Sequence, residues 1–264
     1  MGGHAEAILA STPTDVHLLG IDRDPEALAR SRDRLARFGE RVVLERGSFQ
    51  ELDRIARAHR AVPVRSVFLD LGVSSWQMEA SGRGFSFQGA EPLDMRLDPD
   101  SARTAADLVN ELPEAELARL IYEHGDERAA RRIARSIVRR RPLRTTADLV
   151  AAVRAAVPRA RWSASTHVAT RTFQALRIAV NDELAALREG VPQAAALLAM
   201  GGRCGVISFH SGEDRVVKHM FRALAAAAFA PVEPSPFTPG ADEVRANPRA
   251  RSAKLRVLER VSPC

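Results

Sequence analysis

The segment VFLDLGVSS, residues 67–75, decides the fold of this chain. Its first three residues form a short apolar run typical of a buried parallel strand, and the run leads into Asp70 and a loop of small residues. A second apolar run, residues 18–21, leads into Asp22 in the same way. Because ligands bind at the carboxyl ends of strands in open α/β sheets, the two acids predict a nucleotide-like ligand at one sheet edge.

Strands and helices alternate on both sides of this segment, which predicts an α/β fold with a doubly wound, Rossmann-like parallel sheet. The apolar spacing predicts strands at residues 42–44, 64–69, 201–209 and 255–258, and helices at residues 24–38, 50–59 and 213–228. A proline-rich loop is predicted at residues 231–239.

The middle of the chain has a different pattern. Residues 81–98 are rich in glycine, proline and aromatic side chains, and residues 104–186 contain only helical periodicity. We therefore predict a discontinuous α/β domain, residues 1–98 and 187–264, with an all-helical insertion domain at residues 99–186. Since a strand normally precedes the glycine turn of a nucleotide site and none precedes Gly2, we expect that the first strand is missing.

Composition limits the classes of protein that fit. The 264 residues are 45% hydrophobic, which allows a substantial core, yet no apolar run approaches the roughly 18 residues that cross a bilayer. The first residues lack the pattern of a signal peptide, and two cysteines cannot form a disulfide framework. The histidines are dispersed, so no metal site is predicted. These features indicate a reduced cytoplasmic protein that does not bind membranes.

The net charge of +6 and pI of about 10.4 favour a polyanionic partner, with nucleic acid as the first candidate. Lys218 and Lys254 are the only lysines, so nearly all of the basic charge comes from arginine. Arginine and alanine are both frequent in proteins from GC-rich genomes, which weakens the charge as a signal for RNA. A basic stripe with helical spacing is the sharper signal, although a solvated helix face explains it nearly as well. The stripe consists of Arg128, Arg131, Arg135 and Arg139.

Several other residues have the chemistry of a nucleotide site. Gly2 and Gly3 allow backbone N–H groups to approach a ligand at the start of a helix. Asp22 has the spacing of an acid that binds ribose hydroxyls. The structural alternative for Asp22 is a helix cap, but Asp24 is better placed for that role. Three further side chains also have a structural interpretation. Phe49 fits a core aromatic residue, Asp70 a turn cap and His210 a loop histidine.

Eight sequence blocks together resemble the bacterial ribosomal RNA small-subunit methyltransferase H family. The resemblance implies a methyltransferase domain that binds S-adenosyl-L-methionine, with a helical insertion, and methylation of the exocyclic N4 amine of a cytidine in the decoding region of 16S rRNA. Trp76, Val168 and Gly212 depart from the family pattern, which puts loop shape in doubt. The blocks are GGH at 2–4, LLGIDRDP at 18–25, FLDLGVSS at 68–75, RGFSF at 83–87, PLDMR at 92–96, ATRTFQALRIAVNDEL at 169–184, VISFHS at 206–211 and NPRARSAKLRV at 247–257.

The resemblance also implies the residues that bind the cofactor, whereas the catalytic and RNA-binding residues are predicted from side-chain chemistry and spacing. Asp70 is the predicted catalytic residue, with His210 as a later proton acceptor, and the extruded base is expected to meet the RGFSF loop. The cofactor is expected to contact Gly2, Gly3, His4, Asp22, Phe49, Asp70 and Gln77. The residues predicted to bind RNA, mainly in the insertion, are Arg83, Phe85, Arg128, Arg131, Arg135, Arg139, Arg171, Arg249 and Arg251.

Two alternatives stay open on the residues alone. The first is a catalytically impaired RNA-binding or ribosome assembly factor on the same fold, which the expected lack of the first strand favours. The second is a dinucleotide-dependent oxidoreductase, which strand-end acids also permit. The expected partner is 16S rRNA or the small ribosomal subunit, and a homodimer is possible.

Overall fold

The structure is a computed structural model that describes residues 1–163, 166–226 and 228–262. It divides into two compact units: the first comprises Met1–Gly72 and Leu184–Cys264, and the second comprises Val73–Glu183. The second unit begins 26 residues earlier than the predicted domain boundary at residue 99. The physical reason is that Phe85, Leu93 and Met95, in the predicted loop, are at most 5% exposed and lie in the core of the helical unit.

The first unit opens with alternating helices and strands, as predicted. β1 pairs in parallel with β2, from Leu18 opposite Val42 to Asp22 opposite Arg46. Asp24 caps α2 by accepting a hydrogen bond from the backbone N–H of Glu26. The elements are α1 (Gly3–Ser11), β1 (Leu18–Asp22), α2 (Pro25–Leu35), β2 (Val42–Arg46), α3 (Leu52–Ala58) and β3 (Val64–Asp70).

The second unit has no strand among its described residues, in agreement with the prediction of a helical insertion. Helix starts are marked by capping boxes, in which Ser74, Thr104 and Thr145 accept from the third backbone N–H of their helices. The elements are α4 (Ser75–Ala80), α5 (Ala105–Glu111), α6 (Glu114–Gly125), α7 (Ala130–Val138), α8 (Thr146–Ala156) and α9 (Thr170–Val180).

The chain then returns to the first unit and forms a four-stranded sheet of order β3-β4-β6-β5, which is separate from the two-stranded sheet of β1 and β2, whereas the sequence predicted one parallel sheet. β4 pairs in parallel with β3, whereas β6 is antiparallel to both of its neighbours. β4 begins three residues earlier than predicted, and both β5 and α12 were missed. The elements are α10 (Glu183–Ala196), β4 (Leu198–Ser208), α11 (Ser211–Ala225), β5 (Phe229–Pro231), α12 (Ala241–Ala246) and β6 (Lys254–Arg260).

Each unit has its own apolar core. In the first unit, Leu187 and Val191 of α10 pack with Val206 of β4 and Leu258 of β6, all at most 1% exposed. Burial of such side chains contributes about 1.5–3 kcal/mol each. In the described part of the chain, no helix has both the length and the apolar character needed to cross a membrane. The two units and their elements confirm the prediction of an α/β fold with a helical insertion.

Candidate active site

The N-terminal Gly-Gly-His turn has the predicted local structure. Gly2 has φ of +71°, a left-handed conformation that favours glycine, and it is the N-cap of α1. Its carbonyl accepts a hydrogen bond of 2.8 Å from the backbone N–H of Glu6. The first N–H groups of this nine-residue helix therefore form a partly positive end next to Gly3.

His4 and Asp70 form a pair, although they lie 66 positions apart in the chain. The Nδ1 atom of His4 is 2.9 Å from the Oδ2 atom of Asp70, and the two side chains are 55% and 45% exposed. The His4 ring also lies beside Phe68, with 5.2 Å between ring centroids. The hydrogen bond to Asp70 raises the pKa of His4 against the opposing effect of burial. The pair therefore holds a histidine with increased cationic character against the carboxylate that ends β3.

Asp22 ends β1 and is partly buried. Its Oδ1 atom accepts a hydrogen bond of 2.9 Å from the backbone N–H of Asp24, and burial raises the pKa of its carboxyl group. The Met1 amino group has a pKa lowered mainly by burial, while the charges of Asp22 and Asp70 act on it in the opposite direction. Both carboxylates thus lie within electrostatic reach of the N-terminal turn. We call His4, Asp22 and Asp70, with the turn, the rim.

Phe49 follows β2 at the start of a short 3-10 turn. A Cβ atom at Gly190 would lie 2.6 Å from the Cδ2 atom of Phe49 and 2.8 Å from its carbonyl oxygen, so α10 approaches Phe49 closely. The ring is partly buried in the core of the first unit. The core role that the sequence left open is therefore observed, with part of the aromatic residue still exposed.

Gln77 lies in the second unit and is only 5% exposed. Its Oε1 atom accepts hydrogen bonds from the backbone N–H and hydroxyl of Ser74, at 2.8 and 3.1 Å. The side chain thus completes the capping box of α4. Contact between Gln77 and a cofactor stays a prediction.

His210 is the N-cap of α11. Its Nδ1 atom accepts from the backbone N–H of Glu213 at 3.3 Å, and its Nε2 atom is 3.2 Å from the Oε1 atom of Glu213. Glu213 in turn accepts from the backbone N–H of Phe209 at 2.9 Å. This is a capping box with histidine in the position usually taken by serine or threonine, and the H-x-x-E spacing was the overlooked signal. Because the cap uses the Nδ1 lone pair, the predicted proton-acceptor role has to compete with it.

The predicted basic stripe is exposed as expected. Arg128, Arg131, Arg135 and Arg139 are all exposed, and Arg135 places its Nε atom 3.3 Å from the Oε1 atom of Glu114. The opposite face of α7 is at most 3% exposed and consists of Ala130, Ile133, Ala134 and Ile137. The helix thus packs through its apolar side and presents its arginines to solvent.

Other predicted RNA contacts have structural partners. A guanidinium N–H group of Arg83 donates to the carbonyls of Arg96 and Leu97, at 3.1 Å each, which braces the loop. Phe85 is 5% exposed within the helical core, so its ring presents no open face to a base. Arg171 donates to the carbonyl of Asp126 at 3.2 Å and remains exposed. Two further arginines are exposed on the 3-10 turn Pro248–Ser252, namely Arg249 and Arg251.

Within the described residues, no three side chains of His, Cys, Asp or Glu come together in a metal-binding group. Cys204 is buried, and burial raises the pKa of its thiol to about 12. The thiol is therefore uncharged at neutral pH and unsuited to act as a nucleophile.

Comparison with known proteins gives consistent matches along the chain. A model of the MraW methylase family matches residues 1–261. A relative from Geobacter sp. strain M21, named ribosomal RNA small subunit methyltransferase H, is 48% identical over 98% of this chain and 89% of its own length. A relative of the same name from Heliobacterium mobile is 44% identical, with coverage of 98% and 90%. A solved rRNA methylase from Streptococcus thermophilus aligns with a TM-score of 0.45 and 12% identity, over 99% of this chain and 82% of that one.

Proposed function

Because the chain belongs to the MraW methylase family, we propose that it methylates the exocyclic N4 amine of a cytidine in the decoding region of 16S rRNA, with S-adenosyl-L-methionine as methyl donor. The observation that carries the proposal is the His4–Asp70 pair, at 2.9 Å, at the end of β3. The pair supports the proposal because it orients a half-exposed carboxylate, the kind of acceptor that an amine substrate needs.

The residues at the rim fit the proposed methyl donor. Ribose hydroxyls need carboxylate or carbonyl acceptors, and Asp22 offers a partly buried carboxylate whose raised pKa shows the cost of its burial. A donor hydrogen bond or a nearby cation lowers that cost. Gly2 has the left-handed conformation that lets backbone approach a ligand. The residues proposed to hold the donor are Gly2, Gly3, His4, Asp22, Phe49, Asp70 and Gln77.

When bound, S-adenosyl-L-methionine supplies an electrophilic methyl group on a sulfonium. The cytosine amine is a weak nucleophile, because its lone pair is delocalised into the ring. Asp70 accepts a hydrogen bond from the amine and so helps to localise that lone pair. His4 acts as a positioning residue, because it engages the Oδ2 atom of Asp70 and leaves Oδ1 for the amine.

Methylation of the amine releases one proton. We assign the proton to Asp70, which is 45% exposed and can pass it to solvent. His210 is the alternative acceptor, but its Nδ1 atom already accepts from the backbone of α11. If Asp70 takes the proton, substitution of His210 should affect turnover only through its role as a helix cap.

The RNA is proposed to meet exposed arginines in both units. Each arginine neutralises a phosphate and contributes to a salt-dependent affinity without specifying the base. Base selection then depends on the pocket into which the cytidine is extruded. The arginines proposed for phosphate contact are Arg128, Arg131, Arg135, Arg139, Arg171, Arg249 and Arg251.

The decisive test is methyl transfer to small ribosomal subunits that lack the modification. The full chain is incubated with such subunits and tritiated S-adenosyl-L-methionine, and the RNA is digested to nucleosides and analysed by mass spectrometry. We expect N4-methylcytidine from one site. Label in another nucleoside contradicts the proposed specificity, and tight RNA binding without transfer supports an RNA-binding assembly factor instead.

A further inference from the structure

The second unit contains a groove that the proposed function has not used. It lies at the end of α8 and beside α7, and it has a volume of about 720 Å³. Its charged and aromatic lining consists of Arg132, Arg154, Arg159 and Trp162. The rest of the lining is apolar, namely Ala155, Val157 and Pro158, and no carboxylate lines the groove among the described residues.

Trp162 is held in a fixed orientation. Its indole N–H donates a hydrogen bond of 3.0 Å to the carbonyl of Val157. The guanidinium carbons of Arg154 and Arg159 each lie 5.7 Å from the indole centroid, within the range of a cation–π contact. Three planar groups are therefore assembled before any ligand binds, which reduces the entropy cost of binding.

A second layer orients Arg154. Its Nη2 atom is 3.2 Å from the Nε2 atom of His167, and the His167 ring stacks on Phe87 with centroids 4.4 Å apart. Burial, together with the charge of Arg154, lowers the pKa of His167, so a neutral ring lies against the guanidinium near pH 7. The contact with His167 thus positions Arg154 without neutralising its positive charge.

The groove is continuous with the basic stripe of α7. At 100° per residue along α7, Arg132 lies about 100° from Arg131 and about 60° from Arg135, on the face opposite the buried side. Residues 126–163 contain eleven arginines and three acidic residues, a formal charge of +8 against +6 for the whole chain. The positive charge of this protein is therefore concentrated along one segment that contains both the stripe and the groove.

We propose that this groove binds a single-stranded segment of RNA, with Trp162 stacked on a base and Arg132, Arg154 and Arg159 in contact with phosphates. The inference rests on the proposed function, in that RNA is the substrate. Single-stranded RNA fits better than duplex, because an aromatic platform needs an unstacked base. It also fits better than an acidic peptide, because carboxylates use the arginines but have no need of the indole.

The first experiment measures RNA affinity of the full chain by fluorescence anisotropy, with a labelled twelve-nucleotide oligouridine and a twelve-base-pair RNA duplex as probes. Trp162→Ala is expected to weaken binding of the single strand about 5-fold or more. The double variant R154Q/R159Q is expected to weaken it about 10-fold and to reduce the slope of log affinity against log salt by about 0.7 for each phosphate that the variant no longer neutralises.

The matched control is R103Q/R119Q, which removes the same charge from exposed positions of the same unit that do not line the groove. We expect it to change the affinity less than 2-fold. Thermal melts check that the variants remain folded. Trp162→Phe is a second control, because phenylalanine keeps a stacking face and is expected to recover part of the affinity. Equal reductions in the control and groove variants overturn the proposal.

A direct readout uses tryptophan fluorescence. The chain has two tryptophans, so Trp76→Phe leaves Trp162 as the sole tryptophan, which is excited selectively over tyrosine at long wavelength. We expect oligouridine to quench its fluorescence at the concentration at which anisotropy rises. No quenching, or equal affinity for strand and duplex, contradicts base stacking. Competition by oligoglutamate as strong as that of oligouridine contradicts recognition of RNA.

Different results refute RNA binding by the groove and methylation by the chain. Groove variants that bind oligouridine like the unaltered chain, while that chain methylates small subunits, refute the groove alone. Groove variants that lose RNA binding, while the unaltered chain transfers no methyl group, refute the methylation and leave the groove. Equilibrium dialysis with S-adenosyl-L-methionine checks that the groove variants keep the dissociation constant of the unaltered chain.

Discussion

The rim of the first unit and the groove of the second use charge in opposite ways. The rim has two carboxylates, one of them held by a histidine at 2.9 Å. The groove has arginines around a tryptophan, and none of its lining residues is acidic within the described part of the chain. The rim therefore suits donors and cations, whereas the groove suits phosphates and bases.

The difference has a consequence for how sensitive each region is to substitution. At the rim, one oriented carboxylate is the proposed acceptor, so its removal has no substitute. In the groove and along α7, several arginines each make a similar contribution, so removal of one is partly covered by the rest. Single substitutions should then have large effects on turnover at the rim and modest effects on affinity in the groove.

The largest expected effect is that of Asp70→Asn. An amide keeps the shape but loses the negative charge that accepts from the amine, so kcat should fall about 100-fold or more. We expect the affinity for oligouridine to stay unchanged, because the groove does not involve Asp70. The measurement is single-turnover methylation of small subunits at saturating S-adenosyl-L-methionine.

The matched control for this variant is Asp53→Asn on α3, an acid of the same unit that pairs with Arg57 at 2.9 Å. Its turnover should match that of the unaltered chain. Equal turnover in Asp70→Asn and Asp53→Asn would remove Asp70 from catalysis and leave the rim with a binding role alone.

A smaller effect is expected from Gly190→Ala, which tests the close packing of α10 against Phe49. The added methyl would lie 2.8 Å from the carbonyl oxygen of Phe49, so α10 or the Phe49 turn must move. Overpacking of this kind costs about 1–3 kcal/mol in free energy of unfolding. Denaturant titration measures it, with Gly240→Ala as control, since no described atom lies within 4 Å of a Cβ there. A cost no larger than that of the control would show that the turn adapts freely.

The sequence predicted the strand ends of the rim well, because strand ends carry a local signal. The apolar runs that end in Asp22 and Asp70 match β1 and β3, which both end on those acids. Ligands bind at the carboxyl ends of strands in α/β folds, so both acids could be assigned to a ligand site without knowledge of side-chain packing, although β1 and β3 lie in separate sheets. What the sequence did not predict is the pairing of Asp70 with His4, because it depends on where α1 lies.

The sequence did not predict the groove, because its residues come together only through helix packing. Arg132 and Arg154 belong to different helices, and these helices are joined by a hydrogen bond of 2.7 Å from the hydroxyl of Ser136 to the carbonyl of Ala152. Nothing in the arginine spacing specifies that hydrogen bond. The strand β5 was also missed, because its three residues, Phe229–Pro231, are too few for a periodic signal.

The next prediction separates two roles of His210. As a helix cap, it should cost about 1 kcal/mol in free energy of unfolding when replaced by alanine, and asparagine should restore most of that stability, because its side chain also caps. Turnover in His210→Asn should then exceed that in His210→Ala. If both variants lose turnover equally while only the alanine variant loses stability, His210 is the proton acceptor that the sequence suggested.

The smallest expected effect is the pH dependence that the His4–Asp70 pair adds to stability. The pKa of His4 is raised in the folded state, so the pair stabilises the fold fully below the unfolded pKa of about 6.5, and this stabilisation disappears as pH rises through the folded pKa. Both side chains are about half exposed, which limits the stabilisation to less than about 1 kcal/mol.

Free energies of unfolding for the unaltered chain and His4→Gln should therefore differ more at pH 5.5 than at pH 9. In an Asp70→Asn background this pH-dependent difference should disappear, since the protonated imidazole then has no carboxylate partner at that position. A difference that is the same at both pH values, or that survives in the Asp70→Asn background, would show that His4 stabilises the rim through its ring contact with Phe68. Histidine would then position α1 by packing, and the orientation of Asp70 would need another cause.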